Sequence, residues 1–550
     1  MKKFVNLILA LSLALSSVGF ASSCKKEDVL YLNVYNAEEY ISEYDEEWET
    51  VDIIEEFEKW ATEKYGKKVV VKYSTFGTLE NMYNELQLTK RKSGDGYVYN
   101  YDLVCPSDYM IQRMINENML EKFDYNVETE KYASLDNYND YASGFITDLF
   151  SSSKEANHVT GETGVWAEYA VCYMWGTMGF VYNPDIIDEE DAKHWDLPWN
   201  LYYKNLGTIK DSLRDTYSLS VGYVYRNELL TLRGYWENGD LSHDEYKAVL
   251  VKVFNNVNTR LSEEFAALDV FKDGANAAGL KKVSDLFDGK QNSLGKTTVD
   301  AASEELKTLK KNVYGFEVDS GKKDMAAGKI AINFAWSGDA AYTLDLADED
   351  GTELYYSVPE EGSNIWFDAW VMPKGANKEL AQDFVNFLSS PEMAISNMDY
   401  IGYVSPIAGN AVFEHMTETY ELSDAEDEDH PVRIDYSYYF DNLEDGVSPI
   451  VYSSEDNIGR QLTTQYPLKE TVDRCALMTA LPKDQLKAIN AMWSDVKVGD
   501  VPTAILIGVP VIVLLVVIIL SALAIAKKKG FRFERKKKYY GKLVSSERIR

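Results

Sequence analysis

The chain has 550 residues, 45% of them apolar and 26% charged, and 56 Lys and Arg against 89 Asp and Glu give a formal net charge of −33. So acidic a balance excludes a nucleic-acid reader, which needs a basic face to neutralise phosphates, and the apolar fraction excludes a disordered chain. The length accommodates about two to four domains of ordinary size.

The chain opens with Lys2 and Lys3, a mostly apolar run over residues 4–20, and the small residues Ala21, Ser22 and Ser23 before Cys24. A basic start, a short apolar core and small residues before a cut site predict a secretory signal peptide over residues 1–23. The small-residue run ending in cysteine resembles a bacterial lipobox, so Cys24 is expected to carry a lipid. The remaining cysteines, Cys105, Cys172 and Cys475, are odd in number and lack CxxC spacing. Neither a disulfide framework nor a zinc site is indicated. The five histidines are scattered without paired spacing, and neither a metal nor a cofactor is expected.

From residue 29 the pattern alternates. Residues 29–35 (VLYLNVY) predict a strand, 52–65 a helix, 68–73 a strand, 78–91 a helix and 101–105 (YDLVC) a third strand. Pro106 and Ser107 then mark a turn and helix start. This series predicts an α/β fold with a mostly parallel sheet, in which ligands bind beyond the carboxyl ends of the strands. Residues 226–294 read as a helical, charged elaboration. Residues 421–465, opening with ELSDAEDEDH, read as a solvated acidic surface. A closing helix is expected over residues 484–496.

Residues 504–526 contain no charge, and at 1.5 Å per residue such a run reaches roughly 34 Å, enough to cross a hydrocarbon core of ~30 Å. The tail, residues 527–550, holds 11 Lys and Arg and 2 Glu. Positive residues stay in the cytoplasm, so the tail is expected inside and the bulk of the chain on the extracellular or periplasmic face of the cell membrane. Setting aside this tail and the two leader lysines leaves about −44 on the exposed portion, a field that attracts cations within a Debye length of ~8–10 Å.

Several segments are more specific. LNVYNAEEY (32–40), YDLVCPSDYMIQRMINENMLEKFD (101–124), YMWGTMGFVYNPD (173–185), IKDSLRDTYSLS (209–220), AAGKIAINFAWSGDAAY (326–342), IWFDAWVMPKGANKELAQDFVNFLSSPE (365–392) and IGYVSPIAG (401–409) follow one another in order. Together they resemble the spermidine/putrescine-binding proteins, the substrate-binding subunits of polyamine ABC transporters. The resemblance implies a two-lobed, type II periplasmic-binding-protein-like α/β fold with hinge crossovers. The expected layout is a first lobe from residues 27–176 and 368–414, and a second lobe from residues 177–367 and 415–500.

The resemblance also implies a ligand set. Tyr40 matches an aromatic at the cleft mouth, Ser107 and Tyr109 match polar contacts of the first lobe, and Asp215 matches a carboxylate of the second. Trp336 matches an aromatic wall and Asp339, in WSGD, an acid of putrescine-type members. Trp366 and Asp368, in WFD, match the stacking tryptophan and the principal amine-binding aspartate, and Tyr403 a further aromatic contact. Ala37 departs from the family's usual tryptophan, and Ser212 from an additional acid of spermidine-type members.

The chemistry points the same way. A polyamine is a methylene chain carrying ammonium groups, which need ionised carboxylates as acceptors and gain about 0.5–2 kcal/mol from aromatic faces. The expected function is capture of putrescine or spermidine outside the cell and delivery to ABC permease subunits, with attachment to the membrane through the C-terminal helix and the lipid. The alternatives are a binding protein for another cationic solute or a sugar, and a membrane-tethered receptor or sensor. No Ser/His/Asp order, metal spacing or phosphate loop marks an enzyme.

Overall fold

The computed structural model describes residues 29–498 apart from 47 and 95, and its first ninety residues follow the predicted alternation. Strand β1 (Leu30–Ala37) leads to helix α1 (Ile53–Tyr65), which starts where the Asp52 carboxylate accepts the backbone N–H of Glu55 and stops at Gly66 with φ of 60°. Its buried residues Ile53, Phe57 and Ala61 recur every fourth position, one apolar stripe against the sheet. Strand β2 (Val69–Phe76), helix α2 (Leu79–Thr89, capped by Thr78), strand β3 (Leu103–Val104) and helix α3 (Asp108–Asn116) complete this set. Strand β1 pairs in parallel with β2 and with β3, placing the carboxyl ends of all three on one edge.

Next comes β4 (Ala170–Tyr182), thirteen residues all buried. It precedes β5 (Gly207–Lys210), helix α4 (Leu213–Glu237), β6 (Gly315–Glu317), β7 (Ile332–Trp336), helix α5 (Ser337–Glu349) and β8 (Ser363–Pro373). The sheet order is β6-β5-β7-β4-β8-β3-β1-β2. Parallel strands lie at both ends, and the antiparallel pair β4 and β8 runs between them. Residues Ala170 to Thr177 of β4 pair with β8, and Met178 to Tyr182 pair with β7. One strand therefore leaves the first parallel set and enters the second, which makes two α/β lobes joined by crossover strands. Trp175 and Trp370 are fully buried along this junction.

One sequence expectation gains detail and another changes. The helix carrying the SLRD run continues unbroken from Leu213 to Glu237, so the stretch read as helical over residues 226–294 opens inside it. It continues through helices His243–Phe254, Leu261–Ala266 and Ala277–Leu294. The acidic segment is only partly solvated surface. Residues 424–429 are exposed, but Val432–Asp435 pairs antiparallel with Ile450–Ser453, and Tyr436, Tyr439 and Phe440 between them are buried. Three aromatic rings within five residues can bury more apolar surface than the acidic composition implies. The closing helix spans Lys483–Val498. Among the described residues no helix is long and apolar enough to cross a membrane. The expected leader, Cys24, the span over residues 504–526 and the tail lie outside the described residues.

Candidate ligand-binding cleft

Three strand-to-helix junctions supply most of the predicted site. Strand β3 passes through Pro106 to Ser107, the N-cap of α3. Strand β5 ends at Lys210, and Ser212 caps α4, with Asp215 in its first turn. Strand β7 ends at Trp336, the N-cap of α5, with Asp339 in its first turn. A carboxylate in the first turn offsets the positive end of a helix dipole, which would otherwise repel a cation. The fourth contribution comes from β8, where Trp366 and Asp368, two residues apart, project from the same face of the strand.

Asp368 is the centre of the arrangement. It faces Met174 across the β4–β8 ladder, beside a register shift at Cys172–Met174, and forms an isolated bridge with Ser107. A bulge of this kind re-aims the side chains next to it. The Tyr40 hydroxyl donates to Asp368 Oδ2 at 2.8 Å. Its Oδ1 is buried and has no hydrogen-bond partner among the described residues. Burial pushes the carboxyl up to about 6, against the hydrogen bonds from Ser107 and Tyr40, and the charge of Asp215 adds to the rise. An acceptor oxygen withdrawn from water and left unmatched is a position prepared for an incoming donor.

Aromatic rings close around it. Tyr40 meets Tyr173 edge-on at 5.5 Å and Tyr403 at 5.3 Å, and Tyr403 meets Trp366 at 5.3 Å. Two glycines permit this packing. A Cβ on Gly338 would lie 2.1 Å from the Tyr403 ring, and one on Gly176 would lie 2.8 Å from Trp366.

The remaining acids differ in their company. Asp215 is buried, which raises its carboxyl, while a hydrogen bond from Ser212 opposes the rise. Tyr109 lies beside this acid: its hydroxyl is 3.5 Å from Glu80 Oε1, and the Arg214 guanidinium sits 4.7 Å from its ring. Asp339 is already occupied. Its Oδ2 accepts from Lys210 Nζ at 2.8 Å, and its Oδ1 accepts from the Tyr403 hydroxyl at 3.0 Å, with Lys322 Nζ at 3.6 Å. Burial alone would raise this carboxyl, but the two ammonium groups overcome it and hold Asp339 below its usual range.

The structure thus links Tyr40, Ser107, Trp366, Asp368, Tyr403 and Asp339 through direct contacts, brings Trp336 in through Lys210, and places Tyr109 and Asp215 at the neighbouring helix starts. Sequence reasoning missed Lys210, Lys322, Tyr173 and the two glycines. Lys210 carried a readable signal, a charge closing the short strand GTIK, all four residues of which are buried. Cys105, Cys172 and Cys475 are free and buried, and among the described residues no group of three or more His, Cys, Asp or Glu is arranged to hold a metal.

Comparison with known proteins extends these observations. The family model described as bacterial extracellular solute-binding protein matches residues 52–417. The spermidine/putrescine-binding periplasmic protein of Salmonella typhimurium is 26% identical over 407 residues, covering 74% of this chain and 85% of the relative. The putrescine-binding periplasmic protein SpuD of Pseudomonas aeruginosa is 26% identical over 421 residues, covering 75% and 86%. Among solved structures, a Listeria monocytogenes protein assigned to spermidine/putrescine ABC transport is 22% identical with a TM-score of 0.51, covering 85% of this chain and 98% of that one. That likeness concerns the two-lobed fold.

Proposed function

Because the chain belongs to the bacterial extracellular solute-binding proteins, we propose that its cleft captures a polyamine, putrescine or spermidine, and delivers it to the permease subunits of an ABC importer. It is a binding protein and not an enzyme. The observation that carries the polyamine reading is the buried, unmatched Oδ1 of Asp368 within a wall of Tyr40, Tyr403 and Trp366. An ammonium supplies the missing donor and the counter-charge together, and the rings accommodate its methylenes and its charge. The names of the matched relatives support the same ligand class.

In this reading the first lobe comprises residues 27–176 and 368–414, the second 177–367 and 415–500, and the two close over the ligand. Cleavage of the leader over residues 1–23, a lipid on Cys24, a span over residues 504–526 and a cytoplasmic basic tail hold the lobes at the outer or periplasmic face of the membrane.

Calorimetric titration of the full chain in detergent with putrescine and spermidine tests the assignment. Asp368→Asn keeps the shape and removes the charge. Losing one partner of a desolvated charged pair costs about 2–5 kcal/mol, or roughly 30- to several-thousand-fold in affinity. The control is Asp427→Asn in the exposed acidic segment, expected to bind within a factor of two of the parent. Equal binding by both variants removes Asp368 from the site.

A further inference from the structure

Lys210 is 1% exposed, unusual for a lysine unless its charge is matched. Here it is matched three times over. The ammonium donates to Asp339 Oδ2 and to the Val318 carbonyl, each at 2.8 Å, and lies 3.8 Å from Glu317 Oε1. It also sits 4.5 Å from the centroid of the Trp336 ring. An acid, a carbonyl and an aromatic face around an ammonium are the contacts a polyamine terminus would make, but a side chain of the protein makes them. Lys322, 3.6 Å from Asp339 Oδ1 and 3.5 Å from Glu39, adds a second positive charge at the same end.

We propose that Lys210 is a specificity-determining residue, a built-in ammonium that fills the Asp339–Trp336 subsite and restricts the cleft to short diamines read by Asp368 and Asp215, at the expense of triamines. The proposal rests on the polyamine reading above and goes beyond it by naming which polyamines fit. A third ligand ammonium reaching towards Asp339 would meet the fixed charges of Lys210 and Lys322, and like charges repel. A four-carbon diamine makes no such demand. Each of its two ammonium groups finds an acid at a helix start or on β8 that no lysine or arginine ion pair occupies among the described residues.

The test is titration of the full chain in detergent with putrescine and with spermidine, for the parent, for Lys210→Met and for the double variant Lys210→Met/Asp339→Asn. The parent is expected to bind putrescine at least tenfold more tightly than spermidine. Lys210→Met is expected to gain at least tenfold in spermidine affinity, because Asp339 becomes available. The double variant removes both members of the 2.8 Å pair, so neither is left without the other, and it is expected to keep putrescine binding within threefold of the parent. A spermidine-to-putrescine ratio unchanged by Lys210→Met overturns the proposal while leaving the polyamine reading intact. So does a thirtyfold loss of putrescine in the double variant, which would mean that Asp339 itself holds the ligand. Absence of binding of either amine by all three proteins overturns this proposal and the polyamine reading together.

Discussion

Asp368 is subject to two opposed demands, since its surroundings disfavour the charge that its proposed ligand requires. The groups around it are Tyr40, Tyr403, Cys105, Cys172, Asp108 and Asp215. Burial pushes the tyrosine and cysteine groups upward, so they stay neutral near pH 7, and it raises Asp108 well above the carboxylate range. With the Asp368 carboxyl at about 6, the ionised form that accepts an ammonium dominates above that pH and is lost below it. Polyamine affinity is therefore expected to be flat from pH 7 to 8 and to fall towards about tenfold per unit below pH 6. Titrations at pH 5, 6 and 7.5 check this, and a constant affinity would exclude Asp368 as the acceptor. The stability of the ligand-free protein follows with a definite sign. The folded carboxyl holds its proton more tightly than the unfolded one, whose ordinary value is 3.8. The contribution of Asp368 to the stability of the ligand-free fold thus falls as pH rises from about 4 to about 6 and is constant above that range. Asp368→Asn removes this penalty, so its ligand-free Tm at pH 7.5 is expected to exceed that of the parent even though it is expected to bind amines more weakly.

At the scale of elements, the cleft depends on close approaches that helix and strand patterning do not announce. Gly338 lies in the first turn of α5, where alanine would ordinarily favour the helix by about 1 kcal/mol. Its missing Cβ is the space in which the Tyr403 ring rests. Gly338→Ala is expected to destabilise the fold by about 1–3 kcal/mol, the usual range for overpacking, and to weaken amine binding by displacing Tyr403 from Tyr40. Urea unfolding with a parallel titration measures both, and a stabilised variant with parental affinity would contradict this packing. The hairpin in the acidic segment makes a second case. Tyr439 is fully buried and its hydroxyl donates to the carbonyls of Ser405 and Ile407, in the IGYVSPIAG run that carries Tyr403. Tyr439→Phe leaves two carbonyls without that donor and is expected to cost about 1–3 kcal/mol in urea unfolding. An unchanged midpoint would return the segment to the status of solvated surface. The strands and helices of the first lobe were readable from periodicity and caps because those signals are local. The hairpin was not, since its aromatics acquire meaning only against a segment thirty residues away.

For the whole molecule, the long strands β4 and β8 carry the chain between two parallel sets, and the acids proposed to read the ligand lie on the crossover, Asp368, and on the helix after β5, Asp215. Closure of one lobe on the other would assemble them around a solute and exclude water, and ligand contacts would stabilise that state. The about −44 charge set aside from the tail and leader favours the approach of cations. The orientation proposed from the charge pattern of the ends can be tested. Protease added outside intact cells, or to spheroplasts where an outer membrane is present, is expected to degrade the lobes and to spare an epitope placed on residues 527–550. Loss of the epitope with the lobes intact would reverse the topology.

Composition and local patterning were enough to determine an acidic α/β chain, because strand, cap and charge signals act over a few neighbouring positions, and the resemblance to the polyamine-binding proteins implied the two lobes and the candidates in WFD, WSGD and SLRD. Which of those acids is free to take a ligand was decided only by tertiary structure. Asp339 and Asp368 each follow an aromatic residue closely in sequence, and nothing local separates them. In the fold, Lys210 arrives from a strand more than a hundred residues away and neutralises Asp339, while the buried Oδ1 of Asp368 has no hydrogen-bond partner among the described residues. The availability of a buried carboxylate is a property of every charge that the chain brings near it, and that set exists only once the two lobes are folded.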